Sequence, residues 1–351
     1  MDEDPIKNRD ESLQRLILLL RSIEGAQVTL IGDTMLDRYH HGFANNLNST
    51  APVPVLKIIR SEESAGASAH IAIGLTSFGM KVSFHTFVGQ DSEGEAVLSS
   101  LKTSEVEVEN IVSIPDRKTL TKIRFFGSRE SLLDREQILL QADRGPNESL
   151  DPDISTMLTS NAMASMNDSC ALVISDYDKG VVSEEGAQKL IKKANDLGIP
   201  SIVDPKLTGL DKSKGATVVI FEKRGLSLLT RRMNAKNDED AGKKLLKEYD
   251  WNGILVLGGI DGVYLHHKDG ASIHMPCMAP VARQQIGMHD AAAASLAAAL
   301  GAELSLHDAA LLASAACECV LSASTSQEYI DSSTLALWLD ELSWQMRISD
   351  R

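Results

Sequence analysis

The chain has 351 residues, 43% of them hydrophobic, enough to enclose a large core in one α/β domain or two smaller ones. A formal charge of −14 and an aromatic content of 4% argue against nucleic acid or an anionic membrane as partner, since these need basic surfaces and, for single strands, stacking platforms. No apolar run reaches the roughly eighteen residues of a membrane span, and the acidic opening MDEDPIKNRDESLQ lacks the basic start and apolar stretch of a secretion signal, so a cytoplasmic location is expected.

Residues 11–23, ESLQRLILLLRSI, set Leu13, Leu16, Ile17, Leu20 and Ile23 at three-and-four spacing and predict an amphipathic helix. AQVTLIGD (26–33) follows as a buried strand ending in glycine and aspartate. Further strands are expected at 81–89, 171–176, 200–206, 216–221 and 253–259, with helices between them at 65–79, 92–102, 183–198 and 238–250. The remainder reads as helices alone, at 287–301, 306–321 and 331–345. This alternation predicts an α/β fold whose doubly wound, mostly parallel sheet is covered by helices on both faces.

Two β-branched segments interrupt it, PVPVLKI (52–58) and TLTKIRFFG (119–127). They read as antiparallel strands of a small β lid, drawn from about 40–60 and 116–142. Without a Pro-, Gly- or Ser-rich linker or a repeat, the expectation is one domain over 1–351 carrying that lid. Cys170 and Cys277 are isolated, and Cys317 and Cys319 lie in an apolar helical segment, a pattern of small core thiols and not of a metal cluster.

Polar residues gather at the expected strand ends: Asp33 and Asp37 in GDTMLDRY, Asp176, Tyr177 and Lys179 in SDYDKG, Asp204 and Lys206 in VDPK. The C-terminal edge of such a sheet is where ligands bind, and an ionised carboxylate accepts several sugar hydroxyls. Any one of these aspartates could instead be a turn residue or a helix cap. No G-x-G-x-x-G follows the first strand, which sets aside a dinucleotide-binding oxidoreductase.

On GDTMLDRYHHG (32–42), APVPVLK (51–57), TLTKIR (119–124), SDYDKG (175–180), VDPK (203–206) and the G-x-x-D of 287–290, the chain resembles the ribokinase-like (PfkB) carbohydrate kinases. Within them it is most similar to the kinases of D-glycero-D-manno-heptose 7-phosphate. The resemblance implies a ribokinase fold, ATP with Mg²⁺ as donor, a sugar or sugar phosphate as acceptor, and a homodimer paired through the lid. The cytidylyltransferase domain that often follows such a kinase is expected to be absent, the sequence ending at Arg351. Asp290 takes the position of the catalytic base. Asp33, Asp37, Asn46, Gly66, His70, Asp176 and Lys179 take acceptor-side positions. Lys206, Glu222, Gly259, Gly262, Gly287, Met288 and His289 take nucleotide-side positions, with Glu222 also the candidate for the metal.

Several family positions are altered. The usual D-x-x-G-A-G-D becomes a stretch ending Gly287-Met288-His289-Asp290, where two larger side chains replace residues whose smallness lets amides approach phosphate. The threonine-proline-asparagine and glutamate that organise magnesium become Ile220-Phe221-Glu222 and Gly225. Leu257 stands where a threonine precedes the nucleotide-site glycines. On the acceptor side Asn45–Pro52 replaces a segment carrying arginine and glutamate, His70 replaces the asparagine of Gly-Gly-x-x-Asn, and Gln141 replaces a lid arginine beside an apparent insertion near 128–134. Two readings follow: a sugar kinase with divergent contacts, or a catalytically impaired relative that binds a ligand or partner.

Overall fold

In the computed structural model the described residues are 5–128, 136–146, 148–279, 281–283, 285–323 and 330–349; the insertion near 128–134 falls mostly outside them. Helix α1 (Pro5–Ser22) leads into β1 (Gln27–Gly32), and the chain then runs out of the core along β2 (Thr34–Leu47) and back along β3 (Pro54–Ala67). Next come α2 (Ser68–Ser77), β4 (Lys81–Gly89), α3 (Ser92–Thr103) and β5 (Ile111–Ile114), before a second excursion through β6 (Thr121–Ser128) and β7 (Gln137–Arg144). The chain returns by α4 (Pro152–Ser165), β8 (Ala171–Ser175), α5 (Glu184–Leu197), β9 (Ser201–Asp204), β10 (Val218–Glu222), α6 (Lys223–Arg232) and α7 (Asp238–Tyr249). Strands β11 (Gly253–Leu257), β12 (Val263–His267) and β13 (Ile273–Met275) precede the last helices, α8 (Met288–Gly301), α9 (Leu306–Ser322) and α10 (Ser332–Ser349).

The main sheet has the order β13-β12-β11-β10-β9-β8-β1-β4-β5. Its strands pair in parallel from β11 to β5, while β12 and β13 add an antiparallel edge. The central runs QVTLIG, ALVIS and GILVL are apolar at nearly every position because helices cover both faces. One face packs on α8 and α9, whose alanines from Ala292 to Ala299 and Ala309 to Ala316 are buried. A helix apolar all round belongs in an interior, and its small side chains allow close approach; Gly74 of α2 meets Ala294 of α8 in this way. The other face buries Trp251, Phe221 and Leu190 in a second cluster.

The lid is a four-stranded sheet ordered β3-β2-β6-β7. The expected antiparallel sheet proves mixed, since β2 and β6 run parallel, both leaving the core in the same direction. The polar segment after the first strand, to which no element was assigned, is the long strand β2, and residues 65–67, expected to begin a helix, end β3. The sequence reading also passed over α4, α6, β5, β12 and β13, whose patterns are short or weakly periodic.

At the joint between lid and core, Ala67 adopts φ 55° and ψ −131° immediately before α2. Glycine reaches this conformation freely and a β-carbon strains it. Substituting Ala67→Gly is therefore expected to raise the unfolding free energy by about 1 kcal/mol, measured by chemical denaturation; an unchanged or lower midpoint would mean that the joint carries no strain.

Candidate active site

Strands β1, β8, β9 and β10 end at one edge of the sheet. Gly32 lies in register with Ser175, and Ser175 with Asp204. A β-carbon on Gly32 would overlap the Ser175 carbonyl, so glycine is required where these two strands close together. The residues after them, Asp33, Asp176, Asp204 and Glu222, therefore share the edge at which open α/β sheets bind ligands.

Asp33, expected on the acceptor, is used by the protein itself. Its carboxylate accepts the backbone N–H groups of Tyr177 at 2.9 Å, Lys179 at 3.0 Å and Val181 at 3.2 Å. Burial, opposed by these bonds, raises its carboxyl to about 6. The Asp33 carbonyl accepts from both the amide and the hydroxyl of Ser68, pinning the start of α2. Asp176 is likewise engaged, 2.8 Å from Lys212 Nζ and accepting the Asp178 amide. These two carboxylates shape the SDYDKG loop, because a buried carboxylate at a strand end is stabilised by nearby amides and cations.

Asp290 occupies the first turn of α8, where the helix dipole favours an anion, yet it is only 8% exposed. Burial pushes its carboxyl up to about 7; Asp204 and Asp37 add to the rise, while His289 and Lys122 oppose it. Its Oδ2 lies 3.4 Å from His70 Nδ1, and Oδ1 has no hydrogen-bond partner among the described residues. His289 turns sideways, its Nδ1 3.1 Å from Asp204 Oδ1 and its Nε2 3.7 Å from Glu222 Oε1. Burial lowers its basicity, but Asp204 and then Glu222 and Asp290 outweigh that and raise it to about 9. The charge disfavoured at a helix N-terminus is thus held by carboxylates. Met288, expected to add bulk at the nucleotide side, buries its side chain in the core at 5% exposure, leaving only its backbone near that turn.

Nearer the lid, Asp37 pairs with Arg124 at 2.8 Å, and the arginine also lies over the Tyr39 ring. Gly66 seats Asp37, because a β-carbon there would overlap Asp37 Oδ2. Asp37 and Tyr39 are in register with Lys122 and Arg124, which puts all four on one face of the sheet. Lys206, assigned to the nucleotide by resemblance, stands 4.2 Å from the centre of the Tyr177 ring, and Lys122 stands 5.8 Å from the same ring. With Lys179, Arg144, Asp143 and Tyr177 they line a cavity of about 410 Å³ beneath the lid. Lys122, Arg124 and Arg144 were missed in the sequence; the alternation in TLTKIR was the available signal.

Other expected residues lie apart. Asn46 is near the far end of β2, nine residues beyond Asp37, roughly 30 Å along an extended strand, so it does not join Asp290 within one chain. Gly259 and Gly262 take φ 62° and 84° beside β11, and a β-carbon on Gly262 would overlap the Met275 carbonyl, a packing need of its own. Gln141 is occupied with Asp143.

The residues do not fit a protein-held magnesium ion. Glu222 is exposed, and it shares the His289 imidazole with Asp204. Among the described residues no group of three or more His, Cys, Asp or Glu is placed to hold a metal, and no helix is long and apolar enough to cross a membrane.

The profile of the pfkB family carbohydrate kinases matches residues 26–332. The bifunctional protein HldE of Shigella dysenteriae is 32% identical over 299 residues, which cover 85% of this chain and 60% of that protein. The Escherichia coli protein of the same name is 31% identical over an equal span. The chain thus spans under two thirds of the curated relatives it matches. Escherichia coli phosphofructokinase-2 in complex with substrates and products superposes with a TM-score of 0.71 at 16% identity, covering 91% of this chain and 99% of that one. Arabidopsis thaliana ribokinase complexed with ribose and ATP gives 0.66 at 15%, covering 90% and 99%. The fold is therefore ribokinase-like.

The Asp290 carboxyl titrates near 3.8 when unfolded and near 7 when folded, so the folded chain retains a proton that the unfolded chain gives up between those values. Stability from this residue is present at low pH and declines as pH rises through the window. Asp290→Asn should consequently melt above the wild type near pH 8, by a few kcal/mol at most, with the gap closing toward pH 4. A gap independent of pH in thermal melts would contradict the raised carboxyl.

Proposed function

The chain belongs to the pfkB family of carbohydrate kinases, and from that premise we propose that it transfers the γ-phosphoryl group of ATP to a hydroxyl of a sugar or sugar phosphate. Asp290 carries this reading: a buried carboxylate in the first turn of α8 with one oxygen unpartnered and a carboxyl raised to about 7, suited to taking a proton near neutral pH. The acceptor O–H proton passes to Asp290 as that oxygen attacks the γ-phosphorus in line. The bond to the bridging oxygen of ADP breaks, and ADP leaves with the electron pair. Amides of the first turn of α8, without partners inside the helix, face the charge that develops. Magnesium would arrive with the nucleotide as MgATP.

The acceptor reading is a phosphorylated sugar of the heptose 7-phosphate kind. Asp37, held by Arg124, is placed for a hydroxyl, while Lys122, Lys179, Lys206 and Arg144 line the neighbouring cavity with positive charge suited to a phosphate. A non-catalytic, ligand-binding role has one specific observation in its favour, the His289 imidazole set between Asp204 and Glu222 on the nucleotide side.

We also read the protein as a homodimer paired through the lid. Leu47, Ile58, Ile59 and Leu140 are exposed on it, and β3 and β7 are free sheet edges in the single chain.

With MgATP and a panel of sugars and sugar phosphates, ADP release is expected from a phosphorylated acceptor. Asp290→Asn should reduce kcat by about 10²–10⁴-fold. Lys206→Ala should raise KM for that acceptor while leaving the response to its unphosphorylated counterpart unchanged. No turnover on any member, together with calorimetric silence toward MgATP, would give the site to the non-catalytic role. For the assembly, sedimentation should return twice the chain mass, and the double substitution Ile58→Asp and Leu140→Asp should return one; a wild-type monomer would remove the lid dimer.

A further inference from the structure

His70 stands where the family resemblance places an asparagine, and the fold holds it with some effort. The strained Ala67 and the two bonds from Ser68 to the Asp33 carbonyl fix the first turn of α2, and His70 is three residues on. Its ring rests against Gly287, where a β-carbon would approach His70 Cε1 to 3.1 Å. Gly287, with φ 91°, therefore makes room for the imidazole at the start of α8. Phe78, Ala294, Val320 and Ile330 back the pair around a pocket of about 20 Å³, keeping it largely from bulk water.

We propose that His70 positions the base: its Nδ1 holds Asp290 Oδ2, fixing the carboxylate so that Oδ1 is the oxygen presented to the acceptor hydroxyl. This rests on the kinase reading above, but the contact itself needs no turnover to be tested. An N–H donated to a buried carboxylate stabilises its ionised form and selects one orientation of its two oxygens. The other groups facing Asp290 are Asp204 from the end of β9, Asp37 from β2, Lys122 from β6, Tyr177 from the loop after β8, and His289 on its own helix. Among these His70 alone is within 3.4 Å of the carboxylate as an ion-pair partner.

The test compares wild type, His70→Ala and His70→Asn, the last retaining an N–H donor on a side chain that does not titrate. The ionisation of Asp290 is followed by carbon-13 NMR of the aspartate carboxylates, assigned with Asp290→Asn. His70→Ala should move the Asp290 midpoint upward by about half a pH unit or more, and His70→Asn should return it most of the way. With an accepted sugar, His70→Ala should lower kcat by roughly 10²-fold, move the acidic limb of kcat/KM to higher pH, and leave KM for ATP unchanged; His70→Asn should recover at least half of that loss on a logarithmic scale. An Asp290 midpoint unmoved in His70→Ala, or an Asn variant no better than Ala, overturns the assignment. Wild-type inactivity alongside a shifted midpoint would instead reject the kinase reading and leave the His70 contact standing.

Discussion

The site depends on what the buried Asp33 carboxylate does. Three amides, two in the SDYDKG loop and that of Val181 just after it, converge on its side chain, and the start of α2 converges on its carbonyl. One residue thereby ties β1, the loop after β8 and α2 into a fixed frame. The frame sets the position of Tyr177, and through it of the two ammonium groups lying over that ring. It also sets His70, hence the approach to Asp290. A buried carboxylate without such donors would be costly; with them it makes three distant segments behave as one body.

Around this frame the remaining carboxylates are matched with cations or imidazoles. Asp37 has Arg124, Asp204 has His289, and Asp290 has His70. Departures that look separate in the sequence, a histidine for an asparagine and a histidine for a small residue, become related once each is seen beside a particular aspartate. A single substitution near several like charges would alter all of their ionisation together. The two histidines instead divide the carboxylates, one beside Asp290 and one beside the strand-end Asp204. His289 thus replaces the expected clash at the helix start with an ion pair, while Met288 turns away into the core.

The architecture was legible because it rests on periodicity. Short apolar runs such as GILVL, bounded by glycines, read as buried strands, and the longer alanine-rich stretches of α8 and α9 read as interior helices. Boundaries failed where a polar side chain had a tertiary reason. In GDTMLDRY the charged Asp33 and Asp37 are buried by distant partners, the loop after β8 for the first and Arg124 of β6 for the second, and the chain beyond Asp33 is the fourteen-residue strand β2. Asp290 was legible from its spacing to Gly287. The partners that define its behaviour come from α2, β2, β6 and β9, and no local pattern announces which of them face one another. Asn46, an altered family position, stands well along β2 from Asp37 within one chain.

A chain of −14 can still gather cations at one place. Surface carboxylates are screened beyond about 8 Å at physiological ionic strength, so the field inside a recess is set by what lines it. Beneath the lid the lining is Lys122, Lys179, Lys206 and Arg144 against Asp143. Lys122 is lowered mainly by burial; Asp37 and Asp143 pull it back up while Arg124 and Lys206 push it down, so cations and carboxylates alternate around it. Tyr177 supplies a face to two of them, and its own hydroxyl is driven well above its ordinary range by burial and neighbouring acids, so it stays neutral.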